Sequence, residues 1–179
     1  MFKRIHAVDV RLVARLCGIH LHPRLRSALR IFARAGDGWF WLPVILAVFI
    51  TRPHREFAVI ISHCLFALAA SLALYLPLKL SIRRVRPFQR ETNGLPPQVP
   101  PLDRFSLPSG HTMNNLAVGL TLASYYPSAL FLLILLPILW GITRVYFRLH
   151  FFSDVVVAAV LGLVIFRISQ WLLAEMSSR

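Results

Sequence analysis

Carboxylates are scarce in this chain. Seven Asp and Glu stand against 20 Lys and Arg among 179 residues, for a net charge of +13. The seven are scattered, so no carboxylate cluster is available to cage Mg²⁺. Cysteine is nearly absent: Cys17 and Cys64 make no disulfide framework, and both read as structural. Internal repeats and low-complexity tracts are missing. So is any hydrophilic segment long enough for a second globular unit, which leaves one compact domain. The Arg-rich N-terminus has neither a compact apolar core nor a cleavage site, so no signal peptide is expected.

What the chain has is apolar length. Hydrophobic residues make up 57% of it, with mean hydropathy +0.65. Several runs approach the roughly 20 residues that span a bilayer. The expected fold is all-α, a polytopic membrane helix bundle. A soluble protein this basic would point to nucleic acid. Here the cations flank apolar runs, so the expected partners are anionic membrane lipids and not nucleic acid. Oligomeric state stays open.

Residues 3–34 alternate basic and apolar side chains. Val8, Leu12, Leu16 and Ile19 recur at helical spacing, with Arg4, Arg11 and Arg15 elsewhere on the turn. After Pro23, Leu25, Leu29 and Phe32 repeat the pattern against Arg26, Arg30 and Arg34. This predicts two amphipathic helices lying in the membrane interface. Residues 35–38, Ala-Gly-Asp-Gly, are a turn. Five spans are expected, over residues 39–50, 57–78, 111–126, 129–143 and 151–174. The first is short, with Trp39 and Trp41 as interface anchors, and a re-entrant helix is the alternative. The organisation is then an interfacial segment, 1–38, and a membrane-embedded part, 39–179. The proline-rich polar segment 79–108 is too long for an idle loop.

Three polar clusters interrupt the apolar chain, all at span ends and, by counting spans, all on one membrane face. Ionisable residues at the membrane edge are expensive and read as functional. The first is Lys79 with Arg86-Pro87. Seven residues is about two helical turns, so both cations are expected on one helix face, with Pro87 stopping the helix. The bland alternative is a collar of snorkelling cations. The second is Pro108-Ser109-Gly110-His111. Ser109 is a plausible N-cap, Gly110 allows close backbone approach, and a helix N-terminus offers free N–H groups to an anion. The bland alternative is a capped helix with an incidental histidine. The third is Thr143-Arg144, then His150 and Asp154. A carboxylate four residues after a histidine can take its ring N–H and leave the other nitrogen free as a nucleophile. Arg144 offers a fork for phosphate. The bland alternative is a buried Asp154–arginine salt bridge.

Together the clusters read Lys79-x6-Arg86-Pro87, Pro108-Ser109-Gly110-His111, and Thr143-Arg144-x5-His150-x3-Asp154. This resembles the three-part signature of the type 2 phosphatidic acid phosphatases, a superfamily shared with vanadium haloperoxidases and bacterial acid phosphatases. The resemblance covers about residues 57–170. Thr143 stands where the family usually has Ser, which keeps a hydroxyl for phosphate.

The resemblance implies a mechanism. His150 attacks phosphorus and forms a phosphohistidine, Asp154 orients it, and His111 protonates the leaving oxygen. Lys79, Arg86, Ser109, Gly110 and Arg144 hold the phosphate oxygens. No metal or other cofactor is implied, since three cations already neutralise the phosphate. His20 and His22 follow no trusted ligand spacing.

A site at the membrane edge implies a lipid phosphate or diphosphate as substrate. Undecaprenyl diphosphate leads, because the short bacterial members that act on it have a similar size and span count. Phosphatidylglycerophosphate, phosphatidic acid and lipid A phosphates are the alternatives, and phosphotransfer to another acceptor stays open. A haloperoxidase would be a larger soluble protein. A non-enzymatic lipid binder would tolerate loss of His150. The implied location is the bacterial inner membrane with the site facing outward. The excess of Lys and Arg on the site face argues the other way by the positive-inside rule.

Overall fold

The computed structural model of the chain describes residues 2–91 and 97–177. Helices are the expected solution for backbone in lipid, because every N–H and C=O must be satisfied within its own segment. Among the described residues there is no strand. In chain order the helices are α1 (Phe2–Cys17), α2 (Pro23–Arg34), α3 (Trp41–Thr51), α4 (His54–Ile82), α5 (Pro87–Glu91), α6 (Gly110–Ala123), α7 (Leu130–Tyr146) and α8 (Phe152–Ser177). Residues 92–96 of the expected polar loop lie outside the described residues.

The short helix α6 is the axis of the bundle, packed against α4, α7 and α8. Every residue from His111 to Ala123 except Asn114 is buried. Close packing depends on small residues. A Cβ at Gly119 would stand 2.6 Å from the Leu133 carbonyl oxygen of α7, so only glycine lets the two backbones meet.

Among the described residues, three helices are long and apolar enough to cross a membrane, within His54–Arg90, Pro127–Tyr146 and Phe152–Met176. Their outward faces carry exposed Leu80, Phe131, Val160 and Trp171, an apolar surface that suits lipid. Two of the five expected spans differ from expectation. The run after residue 39 forms an 11-residue α3, joined to α2 through the π-helical turn Ala35–Trp39 with a 56° bend. Gly38 has φ +119 there, which a side chain would resist. The two helices pass as a span only as a bent pair. α6 has 14 residues, about 21 Å at helical rise. It is enclosed by protein and so does not have to match the bilayer.

The N-terminal helices pack onto α7 and α8. Val13 is fully buried with Val145, Phe151 and Val155, flanked by Val10, Leu16 and Cys17. Ile5, Val8 and Ile19, by contrast, are exposed. Of the expected stripe, Val8 and Ile19 are exposed, Leu12 is half-buried and Leu16 packs inward, while a face of His6, Asp9, Val13 and Cys17 meets the bundle. In α2, Ala33 and Leu29 pack with Val99, Phe147 and Leu149.

Candidate active site

The three sequence clusters converge at one end of the bundle. Lys79 lies in the last turn of α4 and is 3% exposed. α4 ends at Ile82, with Arg83 in a left-handed cap conformation. Arg86 is thus not on the helix that carries Lys79, contrary to the two-turn spacing argument. It follows a non-helical stretch, and Pro87 starts α5 instead of stopping α4. The two cations still meet, through Asp103. Lys79 Nζ donates to Asp103 Oδ2 at 2.6 Å, and an Arg86 terminal nitrogen donates to Oδ1 at 2.7 Å. The Tyr75 hydroxyl completes the group, 2.6 Å from Asp103 Oδ2 and 2.5 Å from Lys79 Nζ. Burial pushes the Asp103 carboxyl up. The hydrogen bonds from Lys79 and Tyr75 and the charges of Lys79 and Arg86 outweigh it and hold the pKa at about 2.

Ser109 occupies the N-cap position of α6, but its hydroxyl does not cap. Its carbonyl accepts from the Thr112 and Met113 N–H groups, and its Oγ accepts from the Thr112 hydroxyl at 3.3 Å. At Gly110 a Cβ would come within 3.0 Å of the Tyr75 ring. The glycine therefore makes room for Tyr75 as well as for a ligand. His111 Nε2 lies 2.5 Å from Asp37 Oδ1 and 2.6 Å from an Arg144 terminal nitrogen. That nitrogen also donates to Asp37 Oδ1 at 2.5 Å and to the Ala33 carbonyl at 2.9 Å. Arg144 Nε is buried and has no hydrogen-bond partner among the described residues. Thr143 donates its hydroxyl to the Trp140 carbonyl at 2.7 Å. The hydroxyl expected to meet phosphate thus bonds within its own helix here.

His150 sits in the link before α8, 2% exposed, and Asp154 is fully buried in the first turn of α8. His150 Nδ1 and Asp154 Oδ2 are 3.6 Å apart, which is ion-pair range and longer than a hydrogen bond. His150 Nε2 faces Arg86 at 3.3 Å. Burial, helped by the Arg86 and Lys79 charges, pushes the His150 pKa down to about 4 against the pull of Asp154. The imidazole is neutral at physiological pH. Asp154 Oδ2 accepts from the Phe151 N–H at 2.8 Å, and Oδ1 accepts from Arg84 at 2.5 Å. The buried Asp154–arginine salt bridge is therefore present together with the His–Asp pair.

A cavity of about 580 Å³ opens from these groups. Arg86, Gly110, His111, Arg144 and His150 line its polar end, with Asp37 and Asp103. Its other end is aliphatic, walled by Leu42, Ile45 and Val48 of α3 and Leu65, Leu68 and Leu72 of α4. Lys79, Ser109 and Asp154 stand behind this lining. Among the described residues no three His, Cys, Asp or Glu side chains are grouped to hold a metal.

Sequence reasoning missed Asp37, Asp103, Tyr75, Arg84 and Asp9. A signal was there. The chain has four aspartates, and all four lie in or beside this site. In an apolar, cation-rich chain each deserved a functional reading.

Residues 61–176 match the PAP2 superfamily, so the chain belongs to that superfamily. Two solved structures share its fold. A transmembrane PAP2-type phosphatidylglycerolphosphate phosphatase from Bacillus subtilis aligns with TM-score 0.72 at 24% identity, covering 96% of this chain and 87% of the other. LpxE from Aquifex aeolicus aligns with TM-score 0.68 at 25% identity, covering 91% and 94%. No curated protein matches the chain in sequence. The superfamily, the helix bundle and the spans together make it an integral membrane phosphatase of the PAP2 superfamily.

Proposed function

We propose that the protein hydrolyses a lipid phosphate or diphosphate through a phosphohistidine intermediate. One observation carries this reading: a single cavity joins His111, His150, Arg86 and Arg144 to an aliphatic wall formed by α3 and α4. The polar end suits a phosphate, and the wall suits a hydrocarbon tail. The buried, partnerless Nε of Arg144 is a further donor for a phosphate oxygen.

In the first step, neutral His150 attacks phosphorus through Nε2, the nitrogen turned away from Asp154. The bond from phosphorus to the leaving oxygen breaks, and His111 gives that oxygen a proton. Asp154 offsets the charge that develops on the imidazole. In the second step His111 takes a proton from water, the water oxygen attacks phosphorus, the N–P bond breaks, and inorganic phosphate leaves. Lys79, Arg86, Arg144 and the start of α6 at Ser109 and Gly110 favour the charge of the transition state by being already in place. Lys79 acts from behind Asp103, by holding Arg86 and the local charge. The face of α1 with Ile5 and Val8 exposed beside arginines lies in the bilayer interface.

Undecaprenyl diphosphate is the first substrate to test, on the strength of chain size. Phosphatidylglycerophosphate and phosphatidic acid stand beside it. The experiment is release of inorganic phosphate from each lipid by the detergent-purified protein in EDTA, with His150→Ala as the control. Release by wild type alone is expected, and the fastest lipid ranks the candidates. No release, or equal release by both proteins, removes the nucleophile and with it this reading.

A further inference from the structure

One buried ionic group among the described residues has no part in the proposed mechanism. Asp9 of α1 is 2% exposed, far in sequence from every motif and outside residues 61–176. Its Oδ1 accepts from the Ser153 N–H at 2.9 Å, and its Oδ2 accepts from the Ser153 hydroxyl at 2.5 Å. Oδ2 also accepts from a terminal nitrogen of Arg84 at 2.7 Å. The other terminal nitrogen of Arg84 donates to Asp154 Oδ1 at 2.5 Å and to the Ser153 hydroxyl at 2.7 Å. One guanidinium thus bridges two carboxylates, one on the N-terminal helix and one beside the nucleophile.

We infer that Asp9 is a positioning residue of the active site, holding Arg84 so that Asp154 presents its second oxygen to His150. The inference rests on the phosphatase reading of that site and gives the N-terminal helix a part in it.

The physics favours this over a plain tether. Arg84 has a long side chain that is 18% exposed, and by itself it would sample several rotamers. Four contacts remove that freedom: the Asp9 carboxylate, the Ser153 hydroxyl, the Phe151 ring 4.2 Å beneath the guanidinium, and Asp154 itself. The ring is held in turn by His6, edge-on at 5.6 Å and one turn before Asp9 on the same face of α1. With Arg84 fixed on Oδ1, the Asp154 carboxylate has one orientation, and Oδ2 is left for the Phe151 N–H and His150. A carboxylate that swings even about 1 Å can cost a reaction on the order of 100-fold. Asp9 also takes the free Ser153 N–H at the start of α8, which is a structural role. The test has to separate the two.

Asp9→Asn keeps the shape and an acceptor for the Ser153 N–H but drops the charge that grips Arg84. The expected result is a kcat lower by about 10- to 100-fold, with KM within about twofold, since the phosphate cradle on Arg86 and Arg144 is untouched. Asp9→Glu should recover part of the loss. A folded Asp9→Asn protein with wild-type kcat overturns the inference, and so does a lower melting temperature with kcat unchanged well below it. Should Asp9→Asn fail to fold, Ser153→Ala removes one hydroxyl donor to Asp9 and leaves the backbone contact. A several-fold loss of kcat at constant KM is then expected, and wild-type kcat overturns the idea.

A second readout needs no substrate. NMR titration of labelled His150, assigned with His150→Ala, should move in Asp9→Asn relative to wild type, because Asp154 no longer faces the ring. Other charged groups near His150 are Arg86, Lys79 and Asp154 itself, and none is altered. An unmoved titration overturns the inference. Absence of lipid hydrolysis by wild type, with a moved titration, would instead overturn the phosphatase reading and leave the Asp9 relay standing.

Discussion

Asp37 Oδ1 stands 2.5 Å from His111 Nε2, and Arg144 reaches the same oxygen at the same distance. A carboxylate oxygen therefore occupies the place where a phosphate oxygen would find its donors. Asp103 does the same for Lys79 and Arg86. Carboxylates of the chain itself thus pair with the cations of the site, and on the proposed reading a phosphate takes over these donors.

Asp37→Asn removes one competing charge while keeping the side-chain shape. Inorganic phosphate or vanadate should inhibit the variant at concentrations roughly three- to tenfold lower than wild type, because a like charge next to the bound anion is gone. Inhibition constants on the same lipid substrate check this. Unchanged or weaker inhibition would show that Asp37 does not compete with phosphate.

The buried His150 sets a pH dependence. On the proposed mechanism its reactive form is the neutral imidazole, which exists above the pKa of about 4. On the acid side kcat/KM should hold to about that pH and fall below it, where an ordinary histidine of pKa 6.5 would already be protonated. Arg86→Gln removes a charge that pushes the value down, so its smaller kcat/KM should fall away at a higher pH. Full pH profiles of both proteins make the comparison. An acid limb near 6.5 in wild type contradicts a desolvated His150.

Gly119→Ala probes the packing of the axis helix. The new Cβ would meet backbone, 2.6 Å from the Leu133 carbonyl oxygen, and backbone cannot rotate aside. A loss of about 1–3 kcal/mol is expected, read as a lower melting temperature in detergent. Activity well below that temperature should change little.

Arg104 and Arg55 report the membrane face. Both are exposed, Arg104 in the loop beside the site and Arg55 in the first turn of α4 at the opposite end. With Cys17 and Cys64 replaced by Ser, Arg104→Cys should react with an impermeant thiol reagent on intact cells. Arg55→Cys should react only after lysis. The reverse pattern would put the site on the cytoplasmic side, as the distribution of Lys and Arg argues.

The site was legible in sequence as far as its chemistry lies in short spacings. Lys79, Arg86, His111, Arg144, His150 and Asp154 do meet, as their three motifs predict. Local geometry was less legible. A helical count joined Lys79 to Arg86, but the left-handed Arg83 ends the helix first, and a shared carboxylate makes the connection. Thr143 has a hydroxyl in the right motif, yet in a buried helix the Trp140 carbonyl is the nearer acceptor. Asp37 was hidden inside a turn signal, because Gly-Asp-Gly marks a bend whether or not its aspartate has a partner. Asp9 was hidden by distance: 145 positions separate it from Asp154, and periodicity along α1 says nothing about which helix it will meet.

The enclosed position of α6 has a consequence for how the chain enters the bilayer during synthesis. Its 14 residues include His111, Thr112, Asn114, Asn115 and Thr121, side chains that partition poorly into hydrocarbon on their own. The segment that follows the Pro127–Ala129 turn, α7, opens with an unbroken apolar run from Leu130 to Leu136. The two are therefore expected to insert as a hairpin, the greasy second leg drawing in the polar first. His111 would then wait at the membrane surface, its pocket unwalled on one side, until α8 emerges and brings His150 across from it.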